Sequence, residues 1–152
     1  MKEIGVYIHI PFCVKKCDYC DFISYCDKQN LVEEYIERVK EEIKAELNNK
    51  EYEIKTIYIG GGTPSSVDSK YIIDVLNFIK EKHSLEDVEV TIEVNPGTIT
   101  KEKLLDYKKA EINRLSIGLQ ETSNELLKEP IGKSGVNHRL KKISEIAEEL
   151  RK

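Results

Sequence analysis

The sequence predicts an α/β fold, a partial TIM-like (βα)4 half-barrel in which a curved parallel sheet is backed by outer helices. Three observations predict it. Strand-like runs alternate with helix-like runs along the chain. Within most strand runs, alternate residues are apolar and the others polar or small. The chemically distinctive residues, a cysteine cluster and a glycine run, directly follow strands, where β/α barrels carry their sites.

The first strand candidate covers residues 4–10. Val6, Ile8 and Ile10 form its apolar set, with Gly5, Tyr7 and His9 between them. A helix over residues 31–47 follows, with Leu31, Tyr35, Val39 and Ile43 recurring as a buried stripe. The second strand covers residues 55–59, and the second helix residues 69–82, with Ile72, Ile73, Leu76 and Ile79 facing the core. In the third strand, residues 88–94, four apolar residues alternate with Glu89, Thr91 and Glu93. A helix over residues 101–109 leads to the fourth strand, residues 114–119, where Leu115, Ile117 and Leu119 alternate with Arg114, Ser116, Gly118 and Gln120. A fourth helix over residues 122–129 opens on a capping box of Thr122 and Glu125, and residues 138–150 form a last amphipathic stretch.

Strands joined by helices imply parallel pairing with right-handed crossovers. A parallel sheet covered on both faces reads as continuous apolar runs, which these strands are not. Either one face meets water, or the sheet curves around a polar cavity. The cavity reading puts Tyr7, His9, the glycines after Ile59, Glu93 and Gln120 at one rim.

Cys13, Cys17 and Cys20 stand as C-x-x-x-C-x-x-C directly after the first strand. An iron–sulfur cube takes four ligands, so three thiolates leave one iron open to a small molecule. Lys15 and Lys16 place positive charge beside them. A structural zinc site, completed by Cys26 or His9, is the competing reading. Four cysteines without a signal-peptide pattern fit a reducing compartment better than a disulfide framework. His9 is read as a prop for the cysteine loop, Cys26 as a half-buried structural thiol, and His83 as a partner of a helix C-terminus.

Gly60, Gly61, Gly62, Thr63 and Pro64 lie between a strand and a helix. Glycines let backbone approach a ligand closely. The run is neither a P-loop nor G-x-G-x-x-G.

Charged residues make up 34% of the 152, mixed in sign, and the net charge of -4 gives no basic footprint for nucleic acid. No run of eighteen apolar residues is present, so no membrane span is expected, and the chain reads as cytoplasmic.

Five motifs in order carry a family resemblance: Tyr7-Ile8-His9-Ile10-Pro11-Phe12-Cys13; Cys17-Asp18-Tyr19-Cys20-Asp21-Phe22; the Gly60 to Pro64 run; Glu93-Val94-Asn95-Pro96; and the eight residues from Asn113 to Gln120. Together they resemble the radical S-adenosylmethionine (AdoMet) enzymes of the oxygen-independent coproporphyrinogen III oxidase group and its heme-chaperone branch. The resemblance implies that Cys13, Cys17 and Cys20 hold a [4Fe–4S] cluster whose open iron chelates AdoMet. It places Tyr7 beside AdoMet, Gly61, Gly62 and Thr63 at its amino group, and Glu93 and Gln120 at its nucleoside part. Phe22 belongs to the same cofactor-binding set, at the position where the oxidases carry a further cysteine, which favours the heme-chaperone branch. The implied chemistry is reductive AdoMet cleavage to a 5′-deoxyadenosyl radical in the enzymes, and heme binding and transfer in the chaperones.

The implied partners are heme or a porphyrinogen, a reductant protein and a heme acceptor. The resemblance covers a half-barrel domain of residues 1–128 and fades over a helical tail of residues 129–152 packed on it. There Pro130 reads as an insertion, Lys133 replaces an AdoMet-contacting arginine, and Thr122 replaces a phenylalanine. The heme motif H-N-x-x-Y-W is missing. The expectation is thus a shortened radical AdoMet protein of the heme-chaperone type, with an oxidase-type enzyme or an inactive cluster-binding fragment as alternatives. Open sheet edges add self-association as a further expectation.

Overall fold

The computed structural model describes residues 1–48 and 51–118 and, beyond them, Lys141, Ser144, Glu145 and Glu148. Strand β1 (Lys2–Ile10) leads through a 3₁₀ turn (Gln29–Leu31) into helix α1 (Val32–Glu46). Strand β2 (Tyr52–Gly61) follows, then a second 3₁₀ turn (Pro64–Ser66) and helix α2 (Ser69–Lys80). Strand β3 (Glu89–Val94), helix α3 (Lys101–Lys109) and strand β4 (Arg114–Ile117) complete the described elements. The strands stand in the order β1-β2-β3-β4, and every neighbouring pair is parallel. This is the α/β half-barrel arrangement the alternation predicts. The expected helix over residues 122–129, Gln120, and the boundary near residue 128 lie outside the described residues.

One face of the sheet is apolar and packs on the helices. Ile8, Ile10, Ile57, Ile59, Val90, Ile92 and Val94 form one core with Ile36, Ile72, Val75, Leu76, Ile79, Leu104 and Tyr107. Burying each such side chain contributes about 1.5–3 kcal/mol, so this face carries most of the stability. The stripe expected on α1 is rotated: Val32 and Ile36 are buried, Tyr35, Val39 and Ile43 pack at its margin, and Leu31 is exposed. A four-residue spacing drifts around a 3.6-residue helix, so the period fixes the element better than its buried edge.

Strand β2 begins three residues earlier than the alternation suggests, because it contains a bulge. Ile4 pairs with Ile54 but Gly5 with Thr56, leaving Lys55 as the extra residue. Ile54 and Ile57 therefore both reach the core despite their odd spacing. Gly5 is needed opposite the bulge, where a Cβ would meet Thr56 Oγ1 at 2.8 Å.

The starts of α2 and α3 are capped by side chains; that of α1 is not. Asp68 accepts from the Lys70 amide at 2.9 Å and Thr100 from the Lys103 amide at 3.2 Å. Helix α2 ends at Lys80 rather than residue 82; the amides of Lys82 and His83 both turn back to the Ile79 carbonyl. Among the described residues, no helix is long and apolar enough to cross a membrane.

The opposite face of the sheet is polar. Tyr7 pairs in register with Tyr58, and Tyr58 with Thr91, which pairs with Arg114. One rung further along, His9 pairs with Gly60 and Glu93 with Ser116. Tyr7 is 59% exposed on this face.

Candidate cofactor site

Beyond β1 the chain makes a loop whose neck is tied by backbone. The Cys13 amide donates to the Tyr25 carbonyl at 3.0 Å, and the Tyr25 amide donates to the Pro11 carbonyl at 2.7 Å. Phe12 is buried at this neck, edge-on to Tyr35 with ring centroids 5.4 Å apart. His9 braces the far side. Its Nε2 lies 3.0 Å from the Ile23 carbonyl, which can only accept, so Nε2 carries the proton. Nδ1 then accepts from the Tyr7 hydroxyl at 3.0 Å. Both ring nitrogens are thus engaged within the protein, as a supporting role requires. Gln29 Nε2 donates to the Cys13 carbonyl and Lys16 Nζ to the Phe22 carbonyl, each at 3.1 Å. Within the loop, the Cys20 amide donates to the Cys17 carbonyl, a turn that separates those two thiols by two residues.

The glycine run docks against the start of this loop. The Gly62 amide donates to the Ile10 carbonyl at 2.9 Å, the Thr63 amide to the Phe12 carbonyl at 2.8 Å, and Ser66 Oγ to the same carbonyl at 3.1 Å. Space excludes side chains here. A Cβ on Gly62 would sit 2.8 Å from the Phe12 carbonyl oxygen and 3.0 Å from Cys13 Sγ. Gly61 has φ near +120°, a conformation only glycine takes without strain. Cys13 Sγ also lies 3.5 Å from Thr63 Oγ1, so the first thiol and the glycine loop form one surface.

From the polar face, Glu93 reaches the same place. Its Oε1 accepts from the Tyr58 hydroxyl at 2.7 Å, and its Oε2 from the Gly61 amide at 3.2 Å. Burial raises the Tyr58 hydroxyl above its ordinary pKa, and the Glu93 carboxylate adds to this while Ser116 opposes it. Tyr7 is shifted the same way, first by burial and then by Glu93 and Tyr58.

These pieces enclose a cavity of about 290 Å³ at the C-terminal ends of the strands. Cys13, Cys17, Cys20, Phe22, Gly61, Gly62, Thr63 and Glu93 all line it, together with Lys15 and Lys16. Tyr7 does not. It stands one rung deeper, stacked on Tyr58 with centroids 6.1 Å apart and planes 24° from parallel. Gln120 lies outside the described residues. The sequence reading missed Tyr58, the partner of Glu93, and Ser65. Tyr58 shares the polar face with Gly60, so the alternation of β2 could have found it had the bulge not hidden the strand's start.

Ser65 is fully buried. Its Oγ accepts from the Asn95 amide at 2.9 Å and lies 2.6 Å from Thr98 Oγ1, while its carbonyl accepts from Lys103 Nζ at 2.6 Å. These bonds lock the end of the glycine loop to the loop after β3. Burial holds the Lys103 ammonium below its usual pKa. Cys26 is partly buried outside the cavity lining, its pKa raised by burial and then by Cys13. His83 Nε2 lies 2.9 Å from the Leu47 carbonyl, joining the C-terminal ends of α2 and α1.

All the cysteines are free, with Cys13 buried, Cys20 partly buried and Cys17 exposed. Among the described residues, no group of three or more His, Cys, Asp or Glu side chains, the cysteines included, stands close enough together to hold a metal ion. Thiolates on an iron–sulfur cube each bind a different iron, so they need to share a cavity rather than a point.

The model of the radical SAM superfamily matches residues 7–152. The chain is 45% identical over 131 residues to the heme chaperone HemW of Buchnera aphidicola subsp. Schizaphis graminum, covering 84% of this chain and 35% of that protein. It is 38% identical over 131 residues to HemW of Escherichia coli, with the same shares covered. Among solved structures it is similar to the coproporphyrinogen III oxidase HemN of Escherichia coli, described as a radical SAM enzyme, with a TM-score of 0.76 and 26% identity. That likeness covers 93% of this chain and 34% of the other. The chain thus spans about a third of the length of the relatives it matches. Its parallel sheet, and the matching family model over nearly its whole length, agree with the cysteine and glycine motifs: the chain belongs to the radical SAM superfamily and is similar to its HemW and HemN members.

Proposed function

We propose that this chain binds a [4Fe–4S] cluster through Cys13, Cys17 and Cys20 and AdoMet against Gly61, Gly62, Thr63 and Glu93, as part of heme binding and transfer. The observation that carries the reading is the single cavity lined by all three thiols, the glycine loop and Glu93. Cys13 Sγ against Gly62 and Thr63 brings the cluster-binding and ligand-binding surfaces into contact. Lys15 and Lys16 on the same wall offset the charge of an anionic cluster.

If a cluster is held there by Cys13, Cys17 and Cys20, it would supply, once reduced, the electron for AdoMet cleavage, chemistry that belongs to the cofactors. The protein's part is placement. The open backbone of Gly61 and Gly62 lets a ligand approach without a side chain intervening. Glu93 presents a fixed carboxylate acceptor toward the nucleoside part of AdoMet. Phe22, 67% exposed yet lining the cavity, offers an apolar surface near the cysteines. Sequence similarity to HemW favours heme handling over porphyrinogen oxidation, and Phe22 in place of a further cysteine agrees with it. Heme and a heme acceptor are the proposed partners, with a reductant protein if AdoMet is cleaved.

Anaerobic reconstitution with iron and sulfide tests the site. About four irons and four sulfides per chain, with a broad brown absorbance band, are expected. Protein that takes up zinc but no iron would overturn the proposal. Titration with heme, read at its Soret band, against anaerobic turnover of a porphyrinogen separates heme handling from oxidation.

A further inference from the structure

The Tyr58 hydroxyl engages the carboxylate of Glu93, yet Tyr58 itself does not line the cavity. A glutamate on a strand has three rotatable side-chain bonds, and its carboxylate would ordinarily sample many directions. Here it is held at both oxygens, Oε1 by Tyr58 and Oε2 by the Gly61 amide. The missing side chain at residue 60 makes room for this pair. A Cβ there would lie 2.9 Å from Tyr58 Cε1 and 3.0 Å from Glu93 Oε2. The Tyr7 ring, stacked against Tyr58, backs the phenol from β1. The chain of contacts therefore runs from Tyr7 to Tyr58 to Glu93 to the glycine loop.

Each carboxylate oxygen accepts more than one hydrogen bond. Among the described residues one position on each oxygen is engaged, which leaves the others to a ligand in the cavity. A preorganised anion loses less freedom on binding than a mobile one. The nucleoside part of AdoMet, which the family resemblance sets beside Glu93, offers hydroxyl and amino donors to such a carboxylate.

We propose that Tyr58 is a positioning residue of the AdoMet site, fixing the Glu93 carboxylate and through it setting AdoMet affinity. This rests on the reading that the chain binds AdoMet. Tyr58 acts without touching the ligand, so its effect passes through Glu93 and vanishes when Glu93 can no longer respond.

The test is equilibrium dialysis of labelled AdoMet against anaerobically reconstituted wild type, Tyr58→Phe, Glu93→Gln and the double variant. Iron content and the electron paramagnetic resonance spectrum of the reduced cluster are recorded with and without AdoMet. Tyr58→Phe is expected to raise the Kd for AdoMet about tenfold, the effect of losing a hydrogen bond to a charged group. Its iron content should equal that of wild type. At a fixed, subsaturating AdoMet concentration, the ligand-induced spectral change should be reduced in the variant. The double variant should bind within about twofold of Glu93→Gln alone, since residues in one network are not additive.

A Tyr58→Phe Kd within twofold of wild type overturns the inference and leaves AdoMet binding standing. So does a further tenfold loss on top of Glu93→Gln, or loss of iron from Tyr58→Phe. Wild type that fills with iron yet binds no AdoMet overturns both the inference and the reading it rests on.

Discussion

The two loops that meet at Cys13 are built in opposite ways. The glycine loop is fastened before any ligand arrives. Its amides reach back to Ile10 and Phe12, its end is locked through buried Ser65, and Glu93 holds it from the polar face. The cysteine loop is fastened at its neck and braced by His9 and Lys16, while Val14, Phe22 and Ile23 stand 67–70% exposed. Apolar side chains left in water contribute little to folding. The contrast teaches that one wall of the cavity is tied down throughout by the fold, whereas the other is tied at its neck and leaves apolar side chains uncovered. The cluster proposed above would stabilise the second wall by mass action.

The largest effect should separate cluster binding from folding. Cys13→Ala, Cys17→Ala and Cys20→Ala should each lose most reconstituted iron, measured by iron and sulfide counts. Their unloaded stabilities should differ: Cys17→Ala within about 0.5 kcal/mol of wild type in urea, and buried Cys13→Ala lower by about 1 kcal/mol. Equal losses at both positions would break the contrast between the fastened neck and the exposed arm.

Gly62→Ala tests the other wall. Its Cβ would press on the Phe12 carbonyl, which is backbone and cannot turn away. A loss of about 1–3 kcal/mol in the unfolding free energy of the unloaded protein is expected, read from a lowered urea midpoint. An unchanged midpoint would mean that the glycine loop yields as easily as the cysteine arm.

Ser65→Ala removes the acceptor for the Asn95 amide and breaks the tie to Thr98. A buried amide left unpaired costs about 1–2 kcal/mol, and the same urea titration reads it. Iron uptake should survive, because no thiol is touched.

The smallest effect lies away from both loops and serves as their control. Tyr107 is buried with its hydroxyl unpartnered among the described residues. Burial and the neighbouring Asp106 and Asp68 hold that hydroxyl far above its ordinary pKa. Tyr107→Phe should therefore be neutral or raise stability by up to about 1 kcal/mol. The pH dependence has a definite sign. Above about pH 10 an unfolded tyrosine ionises while the folded one stays protonated, so the unfolded state binds fewer protons and stability falls as pH rises. Urea melts at pH 9 and pH 11 should show a smaller alkaline loss in Tyr107→Phe than in wild type.

Much of this arrangement could be read from the chain alone. Alternation in β1 and β3 identified both faces of the sheet, because side chains on a strand point to opposite sides whatever the tertiary context. The cysteine spacing and glycine run, each directly after a strand, marked the two loops that line the cavity. Reading failed where the backbone departed from its period. The bulge at Lys55 shifted β2 out of phase, and the stripe on α1 turned onto Val32 and Ile36.

What the sequence determined by itself was local: which residues alternate, which loop carries thiols, and which loop lacks side chains. Tertiary structure decided how those pieces meet. The Tyr58–Glu93 bond joins residues 35 apart and the Cys13–Thr63 contact residues 50 apart. Such partners leave no periodic trace, because their encounter depends on strand register and helix packing, which only the assembled core sets.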